Sequence, residues 1–98
     1  MTIIQNNEVV LQDISGSITS ANVSQVVVAA NQRRNYLFIQ NISTATLGIN
    51  FTAAATLGQG SVQISPGGSF VMEGAYVTTE QINIIGATIG QLFTAKEA

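Results

Sequence analysis

The chain is 98 residues long, carries a formal charge of −2 and contains neither cysteine nor histidine. That length suits one domain, which at this size buries roughly 60–65% of its unfolded surface. Without cysteine, the fold stands on packing alone. Three cations, Arg33, Arg34 and Lys96, are too few for a nucleic-acid footprint, which needs several phosphate-neutralising side chains.

Apolar residues make up 46% of the chain and charged residues only 8%, against about 25% charged in an average soluble domain. Ser, Thr, Asn and Gln carry the polarity and supply about a third of the chain. Such a surface stays wet but repels neighbours weakly, as expected of a protein whose faces meet other molecules. No apolar run approaches the ~20 residues that span a bilayer, so no membrane partner is expected. The opening residues lack the basic and long apolar regions of a signal peptide. Synthesis and assembly within a cytoplasm are expected.

Few windows place apolar residues at helical spacing, whereas strand patterns recur. Residues 1 to about 20 begin with a weak strand at Glu8 to Gln12 and continue into a Ser/Thr-rich stretch with isolated Ile. This segment is read as an N-terminal arm that adds a strand to a neighbouring molecule, with an internal strand as the alternative. Ile3, Ile4, Val9, Val10 and Leu11 would supply its buried partner contacts. Residues 21–98 form the domain proper.

Val23 to Ala30 and Asn35 to Asn41 are apolar on both faces, as central sandwich strands are. Asn41 to Ala45 reads as a five-residue hairpin loop leading to Thr46 to Phe51, where Leu47, Ile49 and Phe51 alternate with polar or small residues. Gly58-Gln59-Gly60 reads as a turn, because nothing helical follows it and no Lys sits nearby to make a phosphate cradle. Ser61 to Ile64 is a short strand. Ser65-Pro66-Gly67-Gly68 has the chemistry of a type II turn. Ser69 to Glu73, Gln81 to Ile85 and Thr88 to Thr94 complete the set, the last two separated by Gly86-Ala87. Leu37, Ile39, Leu47, Ile49, Phe51 and Phe70 are the predicted core. Strands at this spacing predict an all-β, single-domain β-sandwich, jelly-roll-like, with an N-terminal arm.

Chemistry has little to work with. Missing His and Cys remove the commonest general base, nucleophile pairs and transition-metal ligands, so no enzyme, cofactor or metal site is expected. Glu73 and Glu80 are the one carboxylate pair to weigh for glycosidase-like hydrolysis, and solvated loop acids are the commoner arrangement. Asp13 with nearby Ser and Asn oxygens lacks the charge of a calcium site. Arg33-Arg34 is the one charged cluster, read either as solvated charges or as a bidentate clamp on a partner's carboxylate. Tyr36 and Tyr76 read as core-edge residues, and the lack of Trp counts against a carbohydrate-binding face.

The run Asn31-Gln32-Arg33-Arg34-Asn35-Tyr36-Leu37-Phe38-Ile39-Gln40-Asn41, then Leu47-Gly48-Ile49-Asn50-Phe51, then Ser65-Pro66-Gly67-Gly68-Ser69-Phe70 resembles small virion proteins of tailed bacteriophages. Arg34 matches that pattern's Arg before a strand, and Gln40-Asn41 its amide end. The resemblance covers a little under half the chain and implies no catalytic residues. It implies a capsid decoration or cement protein on the virion surface. Such a protein binds across major capsid protein subunits as a homo-oligomer, a trimer among the options. A head-fibre, neck or tail-associated module and a carbohydrate-binding module are the alternatives.

Overall fold

Residues 10–98 are described by a computed structural model, in which the alternating segments become short strands. These are β1 (Gln12–Asp13), β2 (Gly16–Ser17), β3 (Gln25–Val28), β4 (Tyr36–Asn41), β5 (Leu47–Asn50), β6 (Val62–Ile64), β7 (Ser69–Glu73), β8 (Ile82–Gly86) and β9 (Leu92–Glu97). A 3-10 turn at Gly74–Tyr76 is the only helical element among the described residues. The strands form two antiparallel sheets, and the fold is all-β and consistent with a sandwich. One sheet runs β1-β9-β4-β7, with β2 also on β9; the other runs β3-β8-β5-β6.

Alternation decides what faces inward. In β4, Leu37, Ile39 and Asn41 are buried while Tyr36, Phe38 and Gln40 are half-buried. Leu47, Ile49, Ile64, Ile82, Ile84, Phe93 and Ala95 join Leu37 and Ile39 between the sheets, together with Ile18. Each large side chain so buried is worth about 1.5–3 kcal/mol. Two predicted core residues sit at the rim instead. Phe51 and Phe70 are half-buried and stack on each other, ring centroids 6.1 Å apart and planes 25° apart.

Two connections depart from expectation, and a third keeps its expected turn type. The loop from Asn41 to Ala45 is not a hairpin, because β4 and β5 lie in different sheets. The buried Asn41 carboxamide makes the crossing: its Nδ2 donates to the carbonyls of Ala45 and Ile64, each at 2.8 Å. The Ser65–Gly68 turn also crosses between sheets. The Gly68 N–H closes it on the Ser65 carbonyl at 2.8 Å, and Gly67 takes the φ of +81° that a type II turn requires. The last strand starts later than expected, at Leu92, because Thr88 to Gln91 is a turn.

Val23 to Ala30, expected as a central strand, contracts to the edge strand β3. Its register shifts between Val26 and Val28, and Val23 and Val26 are exposed. Among the described residues only β5 and β6 form a within-sheet hairpin, and their long connection folds back over the outer face of their own sheet. There Ala55 is buried, and the Ala53 carbonyl accepts from Asn83 Nδ2 at 2.9 Å. A Cβ built on Gly48 would collide with the Thr56 carbonyl oxygen, so Gly is what lets this backbone lie so close.

The N-terminal arm is corrected in part. From Gln12 to Ser17 the chain runs along β9 in one unbroken register, Asp13 opposite Lys96 and Gly16 opposite Phe93. Ile18 then enters the core. This stretch is therefore an edge strand of the sandwich, held by hydrogen bonds and by one fully buried side chain. Ile3, Ile4 and Val9 lie outside the described residues.

Candidate functional site

Each end of the sandwich is closed by a polar cluster, and the two clusters leave very different surfaces. At the start of β4, Arg34 is buried, with none of its side chain exposed. Its Nε donates to Glu97 Oε1 on β9 at 2.8 Å. Its Nη1 donates to the carbonyls of Thr78 and Glu80, both at 2.9 Å, and its Nη2 to that of Ala29 at 3.0 Å. One planar guanidinium thus ties the segments flanking β3 and β8 to the opposite sheet through four hydrogen bonds.

This overturns half of the proposed Arg33-Arg34 clamp. Arg34 does grip a carboxylate, but that carboxylate is Glu97 of its own chain, and the buried guanidinium has no face left for a partner. Arg33 is exposed, its N–H held by Asn31 Oδ1 at 3.0 Å. Val10 and Leu11 are also exposed.

At the far end of β4, Asn41 and Gln91 both bond Ser43. Asn41 Oδ1 accepts from the Ser43 N–H at 2.9 Å and from its Oγ at 2.7 Å. Gln91 Nε2 donates to Ser43 Oγ at 3.1 Å and to the Ala45 carbonyl at 3.0 Å, while its Oε1 accepts from the Thr88 N–H at 3.0 Å. These amides are spent on holding the two turns together. Beside the exposed hydroxyls of Thr44 and Thr88, the turns and the start of β9 present large apolar side chains outward: Ile42, Ile89 and Leu92 are 51%, 66% and 52% exposed. They flank a cleft of about 280 Å³ with no charged residue in its lining.

This apolar tip is the candidate site, and sequence reading missed it. Part of its signal was present in Ile42, a large apolar residue inside the loop read at Asn41 to Ala45; Ile89 was read as part of a strand at Thr88 to Thr94, which in fact starts only at Leu92. Buried amides with no spare donors orient nothing small. An uncharged, apolar rim instead suits a surface that is covered by another protein.

The remaining candidates are dispersed. Glu73 ends β7 opposite Tyr36, and Glu80 precedes β8; both are exposed. A second cleft of about 260 Å³ is lined by Phe51, Thr52, Ala53, Glu80, Gln81 and Asn83. Asp13 Oδ1 accepts from the Ser15 N–H at 3.0 Å and from its hydroxyl, and Lys96 Nζ lies 3.5 Å from Oδ2. The Ser15 hydrogen bonds hold the Asp13 carboxyl below its usual range, with Lys96 adding to the effect. Tyr36 is half-buried and Tyr76 exposed. No group of three or more metal-capable side chains occurs among the described residues, and none of their helices is long and apolar enough to cross a membrane. Compared with family models, curated proteins and solved structures, the chain matches none.

Proposed function

We propose that this chain acts by binding and not by catalysis, as a virion structural protein of the capsid decoration or cement kind. In this reading it docks across major capsid protein subunits on the outside of the head and braces them mechanically. The observation that carries it is the uncharged apolar tip of Ile42, Ile89 and Leu92, set on a chain of which only 8% is charged. Burying such a tip against a partner releases water from apolar surface without stranding any charge.

The jelly-roll reading of the fold draws support from the strand order. With β1 and β2 counted as one strand, four strands face four, and every link except β5 to β6 crosses between sheets. Eight-stranded double sheets of this type serve viral capsids and also lectins, so fold alone does not choose between them. The carbohydrate-binding alternative rests on the second cleft, where Phe51 and Glu80 stand together with the amides of Gln81 and Asn83.

The test is cosedimentation with purified phage heads, run beside a glycan array. The wild-type chain should pellet with heads, and an Ile42→Lys/Leu92→Lys variant with an unchanged circular dichroism spectrum should stay in the supernatant. Glycan binding that is lost on Phe51→Ala, with no head binding by the wild type, would replace this reading with the lectin one.

A further inference from the structure

Of the four sheet edges among the described residues, three carry devices that discourage pairing with another chain. The β1/β2 edge keeps its register but its ladder is interrupted at Ile14-Ser15, where the Ser15 hydroxyl accepts from the Ala95 N–H. β3 shifts register between Val26 and Val28. β6 is three residues long and stops before Pro66. β7 has none of these. It is five residues long, pairs with β4 in unbroken register from Glu73 opposite Tyr36 to Ser69 opposite Gln40, and contains no Pro, Lys or bulge.

The hydrogen-bond pattern says which of its groups are free. The Gly74 N–H donates to the Asn35 carbonyl at 3.1 Å, and the Asn41 N–H to that of Gly68 at 2.9 Å. Antiparallel pairs alternate between bonded and non-bonded, so Met72 and Phe70 are the β7 residues that bond β4. Ser69, Val71 and Glu73 therefore turn their N–H and C=O groups away from β4, toward the open edge.

We propose that β7 pairs antiparallel with β7 of a second copy, about a two-fold axis through Val71. Symmetry makes this register complete. Val71 meets Val71, and Ser69 meets Glu73 in both directions, so each outward N–H and C=O of these residues finds a partner. No like charges face each other. A parallel pairing in the same register would instead set Glu73 beside Glu73, which costs stability. On the outer face Val71, 45% exposed, covers its counterpart. On the inner face the half-buried Phe70 meets Met72 of the second copy, extending the core across the join. The β1-β9-β4-β7 sheet then continues unbroken into its symmetry mate. The occupant is thus a second copy, because this edge is self-complementary in hydrogen bonding and charge. The inference uses only β7 and stands whether or not the virion reading does.

Sedimentation velocity and amide exchange on the full chain test it. The wild type should be a dimer. Val71→Pro should be a monomer with an unchanged circular dichroism spectrum, since it deletes an N–H that β4 does not use and Pro is tolerated on such an edge. Ser69→Lys, which places a cation opposite Glu73, should tighten the dimer, and Ser69→Glu should loosen it. Each shift should be about 2- to 30-fold in Kd, because the axis repeats the pair. The Ser69, Val71 and Glu73 amides should exchange slowly in the dimer and quickly on dilution, with Phe70 and Met72 protected throughout. A monomeric wild type, or a dimer that responds equally to both Ser69 changes, overturns the proposal. So does a dimer lost on deleting residues 2–9, which would make the N-terminal segment the occupant. If Val71→Pro unfolds, the opposed Ser69 pair decides alone.

Discussion

Removing the Arg34 guanidinium should unfold much of what holds one end of the sandwich together. Arg34→Ala leaves the buried Glu97 carboxylate without a cation and withdraws the donors that serve Ala29, Thr78 and Glu80. Breaking one partner out of a buried ion pair costs about 3–5 kcal/mol, a large share of the roughly 5–15 kcal/mol that stabilises a domain. At about 4–8 °C per kcal/mol for a domain near this length, the midpoint should fall by some 12–40 °C. Arg34→Lys should recover only part of the loss, because a point ammonium cannot reproduce four bonds arranged around a planar fork. Arg34→Met/Glu97→Met should be far more stable than the additive sum of its single changes, since removing both charges leaves none unpaired. Thermal and urea unfolding followed by circular dichroism measure every one of these variants, with a constant urea slope confirming two-state behaviour. A loss below about 1 kcal/mol in Arg34→Ala would refute the reasoning, because a pair this buried costs several times more to break. It would return Arg34 to the list of residues free to bind a partner.

Three further outcomes follow from particular contacts. Gly48→Ala drives a Cβ into the Thr56 carbonyl oxygen and should cost about 1–3 kcal/mol or more in urea unfolding, while Gly58→Ala, which meets nothing, should be neutral. Deleting residues 2–20 removes the edge strand on β9 and the buried Ile18, and should abolish a cooperative thermal transition. The Asp13 carboxyl should titrate below an ordinary aspartate by NMR, and Ser15→Ala should raise it. Because that carboxyl is depressed in the folded state, its contribution to stability is present above the unfolded pKa and fades as pH falls through the folded one.

The strands themselves were legible because alternation leaves a mark on each residue. Leu47 and Ile49 could be assigned to the interior from their own neighbours, and both are buried. Sheet membership leaves no such mark. Asn41-Ile42-Ser43-Thr44-Ala45 has the amide and hydroxyl chemistry of a hairpin loop. The crossing between sheets depends on partners far along the chain, such as the Ile64 carbonyl, 23 residues away, that Asn41 bonds. Arg34 misled for the same reason: its partner Glu97 lies 63 residues on, and nothing local distinguishes a buried guanidinium from a solvated one. Ile18 was hidden in a Ser/Thr-rich stretch of linker composition, although one side chain at the right register suffices to seal the core. Phe51 and Phe70, both expected in the core, are only half-buried and stack on each other, because both lie at the margin of the sandwich. The apolar tip was half legible, in the loop residue Ile42; Ile89 had been read into a strand, and only the fold sets the two beside each other.

Docking on a phage head is the central claim, and saturation cosedimentation measures it most directly. Purified chain would be titrated onto empty heads prepared from the genome that encodes it, and the pellets quantified. The account predicts binding that saturates at a fixed small ratio to the major capsid protein and disappears in Ile42→Lys/Leu92→Lys. Chain that stays in the supernatant at every ratio, or pellets equally with the double variant, would contradict it.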